Sequence, residues 1–460
     1  MNAFRHLPDL MVALAVGALC AGCVAESDDA GDVGPDASPD ANVVGEPATW
    51  LWDIWGSLGR QYANAVVEAE DGGVYLAGVV PETRDPDLSG GWLARIGPDG
   101  RARWELLVPG TWLSSVAPHP DGGIVVAGAD TGDSHRNGWV AHVDAEGAPA
   151  WRLEWEMGRG MEWPTAVDAI RATPDGTFLV VGTIVRGSPA GPDSPRVWLA
   201  ELTAEGEVLW QRTLQEAEID RAALELAADS DILLAATDRS GAAWLMRLDR
   251  HGMPRWTRRL LVSEWAGVAR IDVVETSDKH IALVSNHEAL ALVVRFTSRG
   301  DLQWQRALDM GAPEFGSVVL PGIDGSVIIG GYEGSGDVTT LDLWLAGMDR
   351  DGEPTWQHSV RWQGCEVAND GFVARDGSIV VATGGCEHAM VLRIGADGRY
   401  GGGCEHLVPA VASSRNADVT IEDVAITAVD IDLTPTITSF DTLPTTSAIE
   451  TVCESPVGAE

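Results

Sequence analysis

Side chains able to move protons or hold a metal are plentiful, since 69 of the 460 residues are acidic and 10 are histidines. Spacing decides what they can do. His119, His135, His142, His251, His280, His287, His358, His388 and His406 are scattered through turn-like stretches, without the short fixed intervals that present two imidazoles to one zinc ion. The expectation is solvated loop histidines, no metal and no cofactor. The sequence has no Ser, His and Asp order suited to a nucleophilic triad and no glycine-rich phosphate loop, so no catalytic residue is assigned and the chain is read as a non-enzyme.

The carboxylates that recur sit beside glycine. "WLARIGPDGRARW" (92–104) returns as "WVAHVDAEGAPAW" (139–151), "WLAELTAEGEVLW" (198–210), "WLMRLDRHGMPRW" (244–256), "LVVRFTSRGDLQW" (292–304) and "WLAGMDRDGEPTW" (344–356). A seventh copy, "MVLRIGADGRYGG" (390–402), keeps the Gly and loses both Trp. Gly100, Gly147, Gly206, Gly252, Gly300, Gly352 and Gly398 hold one place in the seven copies, and in six a Trp follows four residues later. Asp144, Asp249, Asp349, Thr203 and Thr297 precede the Gly by three residues, where Gly97 and Gly395 stand in the other two copies. A metal ligand could not become Gly, so these side chains are read as turn stabilisers.

A second turn marks each unit: "DGGVYLAG" at Asp71, "DGGIVVAG" at Asp121, "DGTFLVVG" at Asp175, "DGSVIIGG" at Asp324 and "DGSIVVATGG" at Asp376, with weaker forms at Asp229 and Asp278. Asp-Gly favours tight hairpins, and the aliphatic runs that follow read as strands. Each unit thus has a strand before the Asp-Gly turn, one after it, the "WLxxL" strand and a Trp-bearing strand. That is a blade of a β-propeller. The missing seventh Trp-bearing strand is "TWLWDIW" (49–55), placed to meet the last hairpin and close the ring. The predicted fold is all-β: a seven-bladed β-propeller of four-stranded blades with a short C-terminal β extension.

Over residues 48 to 404 the repeat resembles those of secreted propellers and the Trp-bearing repeat of quinoprotein-like (PQQ-type) propellers, with "LTAEGEVLW" (202–210) the nearest local match. The resemblance implies that the Trp packs blade against blade. Quinoprotein enzymes also need a vicinal disulfide, and no Cys-Cys pair occurs here. Both short turns fall on one side of the disc, so recognition is expected on the opposite face, in loops such as 80–91, 130–138, 185–196 and 332–342. Trp112, Trp163, Trp265, Phe315 and Trp362, near the ends of the other connections, are candidate ligand-contact aromatics.

The N-terminus, "MNAFRHLPDLMVALAVGALCAGCVAES", has an apolar run suited to export and too short for a permanent span. "LCAGC" resembles the bacterial lipobox, which implies a signal peptide over 1–22 and a lipidated Cys23. Residues 23–47 are rich in Asp, Gly and Pro and read as an acidic disordered tether without calcium-loop spacing. Cys365, Cys386, Cys404 and Cys453 allow three disulfide connectivities. Cys365–Cys386 with Cys404–Cys453 is the expected one, the second tying residues 405–460, read as one or two extra strands, back to the propeller at 48–404.

A formal charge of −38 argues against nucleic acid. The resulting expectation is a monomeric, lipid-anchored protein of the cell envelope, on the bacterial outer membrane. Its propeller binds or scaffolds an unknown protein or glycan, and the alternative is an exported glycan-active enzyme with its site on the long-loop face.

Overall fold

The computed structural model describes residues 49–455 apart from 57–59, 82–88, 132–136, 156–161, 187–194, 216–218, 263–269, 310–313, 335–340, 363–365, 386–387, 401–403, 411–412 and 432. The signal peptide, Cys23, the tether, Trp265, Cys365 and Cys386 lie outside the described residues.

Each repeat folds into four antiparallel strands in chain order. In blade 1 these are Tyr62–Glu68, Val74–Val80, Gly90–Ile96 and Ala102–Pro109. Every residue of the second and third is buried, because neighbouring blades cover both faces of the sheet, which is why they read as continuous aliphatic runs. Blades 2 to 6 occupy 111–154, 162–214, 219–261, 272–309 and 314–360. Blade 7 takes three strands from 366–394 and its fourth from the other end of the chain, where Thr49–Gly56 pairs antiparallel with Ala389–Ile394. First strands of successive blades pack on one another around the whole circle, so the strand before the Asp-Gly turn lines the central channel.

The recurrent Gly and Trp work across blades. All seven turn glycines have positive φ, from 71° at Gly100 to 88° at Gly147, a region that L side chains avoid. Each also lies under the Trp of the preceding blade. A Cβ would fall 2.9 Å from the Trp104 ring at Gly147 and 2.3 Å from Trp356 at Gly398, with Trp151, Trp210, Trp256 and Trp304 placed likewise over Gly206, Gly252, Gly300 and Gly352. The role that the resemblance implied for the Trp is thus seen ring by ring. The turn residues act locally as well: Asp249 Oδ1 accepts the amides of His251 and Met253, and Thr203 Oγ1 those of Glu205 and Glu207.

The blades are five-stranded, which corrects the expected four. The C-terminal segment is not one or two strands but seven, one on the outer edge of each blade. It runs backwards around the ring: Leu407–Pro409 on blade 6, Ser413–Asn416 on blade 5, Thr420–Asp423 on blade 4, Ala428–Asp430 on blade 3, Thr436–Ile437 on blade 2 and Leu443–Pro444 on blade 1. Ser447–Ser455 completes blade 7, paired with Thr49–Gly56. The physical reason is the unpaired outer edge of every Trp-bearing strand, whose amides and carbonyls the tail satisfies. Cys404 and Cys453 meet in disulfide geometry with Cα atoms 5.7 Å apart, so the tail begins and ends at one place.

Candidate functional site

The channel wall is built from polar residues at fixed places on the first strands. Asn64, Ser114, Ser317 and Asn369, each seven residues before a turn Asp, sit in β-bulges that turn their side chains toward the next blade. They donate to Leu113 O, Val167 O, Ala368 O and Ala63 O. The residue after two of them accepts in return, Ser115 Oγ from Ile170 N and Asp370 Oδ2 from Val66 N, and at the same place in blade 5 Asp272 Oδ2 accepts from Val319 N, at 2.9–3.2 Å. Side chains thus latch blade to blade where no sheet hydrogen bond crosses.

Charge gathers there too. Arg171 Nε lies 3.3 Å from Glu225 Oε2, and both side chains keep 31% of their surface accessible. Arg171 also feels Asp272 and Asp370, so acidic groups of blades 4, 5 and 7 converge on one guanidinium. Burial pushes the Asp272 carboxyl up to about 7 and raises that of Asp370.

On the long-loop face, burial followed by the neighbouring charges of Asp342 and Asp53 pushes Glu366 up to about 8. Asp53 Oδ2 accepts from Trp362 Nε1 at 3.1 Å and lies 3.2 Å from His388 Nδ1. Trp362 packs edge-on against His406, and Phe315 stacks on Tyr332, so both rings are engaged within the protein. Trp112 is 48% exposed on that face. The side chain of Trp163 lies outside the described residues.

The connections of this face, expected to be the longer ones and to differ in every blade, are not all long. In blade 5 the second and third strands are joined by Glu288 and Ala289 alone, both at positive φ, and only Gly110 separates blade 1 from blade 2. The short-turn face is not featureless either. Between blades 4 and 5 it carries a cleft of about 810 Å³ lined by Asp229, Asp231, Arg255, Trp256, Lys279 and Arg299. In it Asp231 is gripped by Arg247 at 2.8 Å and Arg255 at 2.7 Å.

The histidines depart furthest from expectation. His142 is a strand residue, 6% exposed, and His358 Nε2 reaches Gly398 O at 2.7 Å. His119 and His142, read as separate loop residues, stack with ring centroids 3.8 Å apart beside Asp121. Hairpin register brings them together, which no sequence interval announces.

No protein-family model matches the chain, and neither does any curated protein. Solved structures similar to it include the Dos1 propeller, with TM-score 0.41 and 11% identity over 72% of this chain and 77% of that one. A gluconolactonase from Xanthomonas campestris gives 0.37 and 13% over 62% and 94%. The soluble aldose sugar dehydrogenase from Escherichia coli gives 0.38 and 11% over 61% and 96%.

Proposed function

We propose that this chain is a cell-envelope lipoprotein, anchored to the bacterial outer membrane through Cys23, whose propeller is a non-catalytic, monomeric binding or scaffolding module for a protein or glycan. The observation that carries the reading is the engagement of the channel groups. Asp272 and Asp370 hold the backbone of the next blade, so their carboxylates serve the rigidity of the ring. A rigid ring with Trp112 exposed at the start of its strand Thr111–Pro118 suits recognition of a partner surface.

Glycan arrays and envelope pulldowns with the purified chain test this. A specific partner lost in Trp112→Ala supports it, and polysaccharide cleavage without stable binding overturns it. Metabolic labelling with palmitate, present in the wild type and absent from Cys23→Ser, tests the anchor.

The Glu366, Asp53 and Asp342 group favours the second reading, a glycan-active enzyme. A carboxyl held protonated near neutrality beside other carboxylates is the arrangement of a general acid. Polysaccharide turnover that disappears in Glu366→Gln would establish it.

A further inference from the structure

Blade 2 departs from a rule that four of its sisters obey. In blades 1, 4, 5 and 7 the Asp of the turn before the second strand is clamped by an Arg at the same place on the third strand: Asp71 by Arg95, Asp229 by Arg247, Asp278 by Arg295 and Asp376 by Arg393, at 2.5–2.7 Å. Blade 3 keeps no such pair, since Glu201 takes that place and accepts from Thr177 Oγ1. In blade 6 the place belongs to Gly347. Blade 2 keeps the turn acid, Asp121, and puts His142 where the guanidinium would be. It also has His119 two residues before the Asp, where blades 1, 4 and 7 have Ala69, Ala227 and Ala374. One fixed cation has been lost and two imidazoles gained.

The geometry says what replaces it. His119 Nε2 lies 3.2 Å from the Ala204 carbonyl of blade 3, an acceptor, so Nε2 carries the proton. In the neutral ring Nδ1 is then an acceptor, which takes the Asp121 amide at 3.3 Å and faces Asp121 Oδ1 at 2.6 Å. Two acceptors at that separation need either a proton or a metal ion shared between them. His142 Nε2 lies 3.1 Å from the other carboxylate oxygen, out of line for a hydrogen bond, and is buried without a hydrogen-bond partner. The donor atoms of His119, Asp121 and His142 all lie within 4.8 Å of one another.

We propose that His119 Nδ1, Asp121 and His142 Nε2 bind a divalent transition-metal ion of the zinc type. Two imidazole nitrogens and a carboxylate oxygen are the donor set such ions favour over calcium or magnesium, which take oxygen ligands. The hydrogen bond from the far nitrogen of His119 to a backbone carbonyl is the usual outer support of a metal-bound imidazole. Asp121, 44% exposed, leaves the remaining coordination position to water, while both imidazoles are over 90% buried. The ion takes over the clamp on the blade 2 turn and, through His119, ties it to the turn of blade 3.

The test uses the full chain stripped with a chelator and dialysed against zinc, with cobalt as the optical probe. The wild type should bind zinc with two-nitrogen, one-oxygen coordination by X-ray absorption and raise its Tm on binding. His142→Arg installs the residue that four other blades use, so it should fold; His119→Ala installs a residue found in three. Each should weaken zinc binding by at least about 100-fold, as expected when a ligand and its support are lost, and abolish the Tm response. Equal zinc uptake or an equal Tm response in wild type and His142→Arg overturns the proposal, as does a stripped wild type that takes up no zinc.

Discussion

The indole of Trp52 lies over Gly100, so that a Cβ there would fall 3.2 Å from its ring. The two residues belong to blade 7 and blade 1, and the contact is the one made by every other Trp and Gly pair around the disc. Trp52 comes from the N-terminal strand, so the seventh contact exists only once the chain's first strand has joined its last hairpin.

Glycines of the two turn types should respond differently to alanine. Gly398 has φ 77° and Trp356 directly above it, whereas Gly377 has φ 83° and open space. Gly377→Ala should cost about 1 kcal/mol from backbone strain alone. Gly398→Ala should cost roughly 2–4 kcal/mol, because the ring must also move. Urea denaturation of both variants checks this, and equal midpoints would show that the Trp contact contributes nothing.

Stability should rise as the solution is acidified from pH 9 toward 6. Asp272 and Glu366 have folded-state values of about 7 and about 8, above the ordinary carboxyl range, so the folded chain holds protons that the unfolded chain has released. Above those values the buried carboxylates are charged and this contribution is lost. Melting curves of Glu366→Gln and Asp272→Asn should show a flatter dependence across that window; a wild type most stable at pH 9 contradicts the assignment.

The aromatics should separate by role. Trp362→Ala removes a hydrogen bond to Asp53 and a contact with His406, so it should lower the Tm. Trp112→Ala, at a half-exposed position, should leave the Tm within a degree or two, since exposed positions change stability by about 0.5 kcal/mol or less. Calorimetry distinguishes them.

The tail should be a stability element. Cys453→Ser opens a loop of 49 residues and should cost about 2–4 kcal/mol under oxidising conditions and nothing under strong reduction. Deleting 405–460 exposes the edge of every blade and should yield aggregates on size-exclusion chromatography.

The features that sequence revealed are those in which backbone geometry demands one residue type. Positive φ at seven turns admits little but Gly, and a Trp must fill the space above it, so the Gly recurs in all seven copies and the Gly-to-Trp spacing in six, with Trp52 supplying the seventh ring. The latches were harder to see because the geometry asks only for a short polar side chain: Asn64 and Asn369, Ser114 and Ser317 share one position between two residue types. Tail strands as short as Thr436–Ile437 carry too few residues for a period to show; what defines them is the waiting edge of each blade. The His119 and His142 pairing depends on hairpin register, though His142 did stand at the place of Arg95, Arg247, Arg295 and Arg393.

The strand Thr49–Gly56 is flanked on both sides, by Ala389–Ile394 and by Ser447–Ser455, each antiparallel to it. It is also the point at which the chain from the N-terminus enters the disc. A pull on residue 49 along the strand therefore loads two hydrogen-bond ladders in shear at once, instead of peeling one strand from an edge. The bearer of any mechanical load is a joint between strands far apart in the chain, and it reaches full strength only once Ser447–Ser455 has been made and has paired.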